Sequence, residues 1–213
     1  ALGVMGNSQT HCLQIPNALA FVRGAQGKPV DEAEYMALAN DLLVGQGEAI
    51  VAAWKALSSV DGNAMKAASN DLKSLSSSDL RPGPLKGLLF GDPQRFVHDL
   101  VMQLDAKAAL EGLHAALAAE PQDKERIEES FSLFVTAIGA WQKQHGYCNF
   151  WAWERMEQAL ARLNNPGINA VLETRDYKGE GATPFERIQN GFSATETFTL
   201  RLIEAMKAAA RRP

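Results

Sequence analysis

Ile127, Phe131, Phe134, Ile138, Trp141 and His145 follow one another at spacings of 4, 3, 4, 3 and 4. That rhythm holds six side chains on one face of an α-helix, whereas a strand would need a period of two. Pro121 suits a first helical position, Asp123 and Glu125 fall in the first turn, and Gly146 supplies a stop. A helix over 121–145 is therefore predicted. A chain that must bury this stripe needs other amphipathic helices to pack against it.

The same period governs the other long segments. Residues 31–58 predict a long helix with Leu43, Ile50, Trp54 and Leu57 inward and a kink or close helix contact at Gly45 and Gly47. Asp61 opens a shorter helix carrying Met65, Ala68, Leu72 and Leu75. Asp92 and Pro93 open another, with Phe96, Val97, Leu100, Val101, Leu104, Leu113 and Leu117 on its buried side. The stretch 148–164 turns Trp153, Met156, Leu160 and Leu163 inward before "NNPG" terminates it. Thr183, Pro184 and Glu186 form a capping box for a helix over 184–211. Its inward row includes Phe185, Ile188, Phe192, Thr199, Leu202 and Met206, and Gly191 and Ser193 weaken it near 192.

The fold class expected is all-α: one domain over 1–213, a compact bundle of six to eight helices with an N-terminal helical subdomain. The Ser-, Pro- and Gly-rich loop 76–87 is the expected subdomain boundary. A second long loop, 175–184, is charged, holds two glycines and is expected to be mobile in the free protein.

A net charge of −4 argues against a nucleic-acid backbone as partner, because a phosphate-binding footprint is normally basic. No apolar run approaches the roughly 18 to 20 residues that span a bilayer, so no transmembrane segment is expected. No basic region followed by an apolar stretch opens the chain, so no signal peptide is expected. With only Cys12 and Cys148, a reduced cytoplasmic setting is the simpler expectation. A secreted or periplasmic mature form with one Cys12–Cys148 bridge stays open.

Short motifs carry little chemistry. "VGQGEAI", 44–50, has the first two glycines of a dinucleotide-binding loop but Ile50 in place of the third, and no βαβ pattern surrounds it. The four histidines, 11, 98, 114 and 145, show no metal-binding pairing with one another or with carboxylates, so neither metal nor cofactor is expected. "WERME", 153–157, fits the two-position W-x-x-x-E pattern of a group of bacterial effectors that act on host GTPases. "EESFSLFVTAIGAWQ", 128–142, with "NPGIN" at 165–169, resembles lytic transglycosylases and lysozyme-like glycosidases over about 40 residues. In those families a Glu-Ser at a helix end supplies the general acid. The resemblance implies that Glu129 is that acid, with a carboxyl raised by apolar surroundings. The family's second glycine is absent here, and the apolar stripe runs unbroken through the segment.

The densest chemistry lies in "HGYCNFWAWERM", 145–156. One helix face cannot bury all its aromatic side chains, so some must line an aromatic plug or a surface mouth between two helices. Tryptophan and tyrosine suit sites that are apolar but need a polar handle. The expected function is a non-enzymatic helical binding module (adaptor, regulator, chaperone or effector) that uses the hairpin 141–153 as a pocket or partner surface. Trp141, His145, Tyr147, Phe150 and Trp151 are its candidate contact residues, and a protein partner or an apolar small molecule its ligand. The alternative is a hydrolase-type enzyme, lysozyme-like or with a His/Cys centre, for which Glu129, His145 and Cys148 are the candidate catalytic residues.

Overall fold

Short polar side chains set the helix starts in this chain. Asp31, Asp61 and Asn165 each stand in extended backbone ahead of a helix and turn a side-chain oxygen onto its first free N–H groups. Asp92 accepts likewise from Arg95 N at 3.0 Å, and Asp123 from Arg126 N at 3.2 Å. A computed structural model describes residues 11–89, 92–145, 153–174 and 184–211, and every regular element among them is helical. They are α1 (His11–Ala25), α2 (Glu32–Leu42), α3 (Gly47–Ser58), α4 (Gly62–Ser74) and α5 (Pro93–Ala118), then α6 (Lys124–His145), α7 (Trp153–Leu163), α8 (Pro166–Leu172) and α9 (Pro184–Ala210). A 3-10 helix at Lys86–Leu89 precedes α5. The chain is all-α, as its periodicity implies.

It divides into two compact units, Ala1–Ala108 and Ala109–Pro213. In the first, α3 packs on both α2 and α4. Its buried side chains include Leu43, Ile50, Trp54, Leu57, Met65, Leu72, Phe96, Leu100 and Leu104, all placed inward by their spacing. The expected single helix over 31–58 is two helices. Gly45 has φ +80°, a left-handed conformation that a side chain disfavours, and the chain turns there. Asn40 then completes the start of α3 from outside: its Oδ1 accepts from Gly47 N (3.1 Å) while its Nδ2 donates to Met36 O (3.1 Å). A Cβ on Gly47 would lie 2.8 Å from Asn40 Cγ, so glycine is needed for this cap.

Residues 76–87 lie within the first unit and are fastened to the end of α2. Gly83 N donates to Leu42 O (2.8 Å), Leu85 N to Asp41 O (2.8 Å), and Val44 N to Arg81 O (2.9 Å). The first two bonds satisfy carbonyls that the end of α2 would otherwise leave unpaired, and the third pairs the Val44 amide just beyond it.

In the second unit α9 packs on α6 and α8, and α7 packs on α8. Phe131, Phe134, Ile138 and Trp141 of α6 are buried with Met156, Leu160, Ile168, Leu202, Ile203 and Met206. Three details depart from expectation. Pro121 follows a cis peptide bond and stands outside α6, which starts at Lys124 behind the Asp123 cap. "NNPG" ends one helix and begins another: Asn164 takes φ +49°, and Asn165 Oδ1 accepts from Gly167 N and Ile168 N. α9 runs through residue 192 without a break.

Candidate functional site

Two buried side chains bracket the aromatic stretch. Trp141, the last apolar residue of the α6 stripe, is 1% exposed, and Met156 in the first turn of α7 is equally covered. His145 is the last residue of α6, but its side chain lies outside the described residues, as do Tyr147, Cys148, Phe150 and Trp151. The loop 175–183 and the Cys12 side chain also lie outside them. Trp141 is thus the one candidate contact residue whose side chain is described, and it is part of the core.

Glu129 is described and is exposed, in the second turn of a helix that continues unbroken through 128–142. General-acid chemistry of the lysozyme type needs a carboxyl in apolar surroundings, where burial favours the neutral form. An exposed carboxylate lacks them.

Behind α7 stands a polar cluster that sequence reasoning missed. Glu111 of α5, with a side chain only 7% exposed, receives Arg155 in a two-pronged pair: Arg155 Nε donates to Oε1 at 2.6 Å and Nη2 to Oε2. His114, three residues along α5, brings Nε2 within 2.8 Å of the Arg155 backbone oxygen. A carbonyl can only accept, so this nitrogen carries the proton. Farther along, Arg162 Nη2 donates to Leu117 O at 2.5 Å, and Gln122 Nε2 reaches the same oxygen at 3.3 Å. Hydrogen bonds to Glu111 push the Arg155 guanidinium above its ordinary pKa, against the opposing effect of burial.

Chemically, this cluster positions rather than reacts. Both Glu111 oxygens are already taken up by the Arg155 guanidinium. The cluster fixes the first turn of α7 against the end of α5. The one signal in the sequence was a carboxylate at position 111 between Leu110 and Leu113 of an apolar helix, where a charge must find a partner.

The first unit holds its own polar ties, two buried and one at the surface. Gln103 Nε2 donates to Asp99 Oδ2 at 3.3 Å, and Lys107 Nζ donates to Leu57 O at the end of α3. Ser69 donates to Asp105 Oδ1 at 2.6 Å, with Lys73 2.9 Å from Oδ2. Among the described residues no group of three or more His, Cys, Asp or Glu side chains could hold a metal ion, and no helix is long and apolar enough to cross a membrane. No protein-family model matches this chain, and neither the curated proteins nor the solved structures offer a significant match.

Proposed function

We propose that the chain is a non-enzymatic helical binding module whose contact surface is the aromatic connection between α6 and α7. Tyr147, Phe150, Trp151 and His145 meet the ligand, a protein segment or an apolar small molecule, with Trp141 as the fixed wall behind them. One observation carries this reading: both flanks of the connection are anchored. Trp141 and Met156 are buried, and Glu111 and His114 clamp the residue next to Met156. Anchoring the ends lowers the ordering cost of any contact made between them. The acidic balance and the two cysteines go with a cytoplasmic setting and a partner other than nucleic acid.

The test compares two tryptophans. Trp141→Ala should cost about 3–5 kcal/mol, as truncation of a buried aromatic does, while Trp151→Ala should cost well under half of that. The apolar dye anilinonaphthalene sulfonate serves as probe for the surface. Trp151→Ala should lower dye binding several-fold at a near-native urea midpoint. Equal, large losses of stability in both variants, with dye binding unchanged relative to the folded fraction, would make the stretch core and overturn the proposal.

A further inference from the structure

Helix α1 is poorly equipped to stand alone and lightly held where it stands. It has 15 residues, a length at which an isolated helix is only marginal in water, and Pro16 and Gly24 disfavour it further. Packing does not make up the difference. Of residues 15–25 only Ile15 is buried; Pro16, Leu19 and Arg23 are half-buried and the rest are exposed. The helix contacts the 3-10 helix Lys86–Leu89, whereas α2, α3 and α4 pack on one another without it.

Among the described residues its one ion pair joins Arg23 Nη2 to Glu34 Oε1 of α2, at 2.6 Å. Both partners hold with reservations. Arg23 Nε is covered yet has no acceptor among the described residues, so closure withholds from it the hydrogen bond that water would give. Glu34 is shared: its other oxygen, Oε2, accepts from Asp31 N at 3.3 Å in the capping box that starts α2. Each side chain of the pair is 28% exposed, so dissolved ions reach and screen it.

We infer that α1 is a salt-sensitive latch on the first unit: it opens as one piece, releasing Arg23 from Glu34, while α2, α3 and α4 stay folded. Opening bares Ile15, Leu19 and the side of the 3-10 helix that α1 touches, beside Leu85 and Leu88, which are exposed already. The closed form hides that apolar seat at low ionic strength, and rising salt makes it available.

Hydrogen exchange of the full chain tests this, followed in low salt and in about 1 M NaCl, where the screening length is about 3 Å. Amides of residues 17–25 should exchange together, at least about 100-fold faster than those of α3, which buries most of its apolar side chains. High salt should speed them about two- to fivefold, the worth of a partly exposed ion pair, and leave α3 unchanged. Glu34→Gln keeps a side chain that can complete the capping box but removes the charge. It should produce the same acceleration in low salt and abolish the salt response. Gly24→Ala works in the opposite direction, because nothing lies within 4 Å of its added Cβ and alanine favours the helix. It should slow exchange about two- to fivefold. Any of three outcomes overturns the proposal: α1 amides as slow as those of α3, an α1 rate indifferent to both salt and Glu34→Gln, or α1 and α3 accelerating together, which would make the opening a global one.

Discussion

Replacing Gly83 with alanine tests how the 76–87 segment is held. Gly83 is buried against the last turn of α2, and its φ is negative, so alanine carries no intrinsic backbone strain there. The cost is purely one of space. An added Cβ would stand 2.6 Å from Asp41 C, 2.9 Å from Asn40 O and closer still to Asp41 O, all backbone atoms that no rotamer change can move. The segment must retreat, and in doing so it strains or breaks three backbone hydrogen bonds: Gly83 to Leu42, Leu85 to Asp41 and Val44 to Arg81. At about 0.5–1.5 kcal/mol net per bond, a loss of about 2–4 kcal/mol is expected. With a urea slope near 2 kcal/mol per molar, the midpoint should fall by about 1–2 M. Gly87→Ala is the control, because nothing lies within 4 Å of its added Cβ; it should stay within about 0.5 kcal/mol of wild type. Hydrogen exchange adds a local readout: the Val44 and Leu85 amides should lose protection in the Gly83 variant alone. Coincident urea midpoints for the two variants, with those amides still protected, would refute the reasoning.

Glu111→Ala removes the two hydrogen bonds that hold the half-buried Arg155 guanidinium and should cost about 1–3 kcal/mol in chemical denaturation, whereas Glu111→Leu with Arg155→Met should recover most of it; a double variant as unstable as the single would contradict the clamp. Gly45→Ala, at φ +80°, should cost about 1–2 kcal/mol, and a neutral result would mean that the turn between α2 and α3 can be made another way. Asp79 is held below its ordinary pKa, first by the Ser76 hydroxyl and then by the Ser76 amide. The folded value being the lower one, its contribution is complete above the ordinary value of 3.8 and is lost as pH falls through the folded value. The Ser76 amide resonance should therefore titrate with a midpoint below 3.8, and should not titrate in Asp79→Asn; a midpoint at or above that value would refute the assignment.

Long helices with one apolar face were legible in advance. The rows on α4, α5 and α6 could be read residue by residue because burial and period coincide there. Elsewhere the physics was not in the period. Helix α1 mixes apolar residues around its circumference and contains Pro16, so no single stripe announced it. Helix α8 has seven residues, too few for a repeat, and its evidence was the Asn165–Pro166 start that looked like a stop for the helix before it. The division of 31–58 depended on a cap supplied by Asn40 from seven residues away, a tertiary hydrogen bond that no window of periodicity reports. Polar residues on α5 hide burial in the opposite sense. Asp99, Gln103, Lys107 and Glu111 recur every four residues and would pass for a solvated edge, yet all four are buried. At the aromatic stretch, composition pointed to a segment, while the groups that fix its downstream flank, Glu111 and His114, lay more than thirty positions away on another helix.

The ties between α5 and α7 have a consequence for the backbone itself. Glu111 to Arg155, His114 to the Arg155 carbonyl and Arg162 to the Leu117 carbonyl link residues 41 to 45 apart in sequence, skipping α6 entirely. The chain between α6 and α7 is therefore not what keeps α7 in place. Cut between residues 146 and 152, the protein would become two pieces with their own adhesive, the C-terminal one gripping α5 through two arginines and α6 through α9. Expressed separately, such halves would find each other, and the aromatic connection would serve as a joint where new termini, or an inserted sequence, can be carried without dismantling the unit around it.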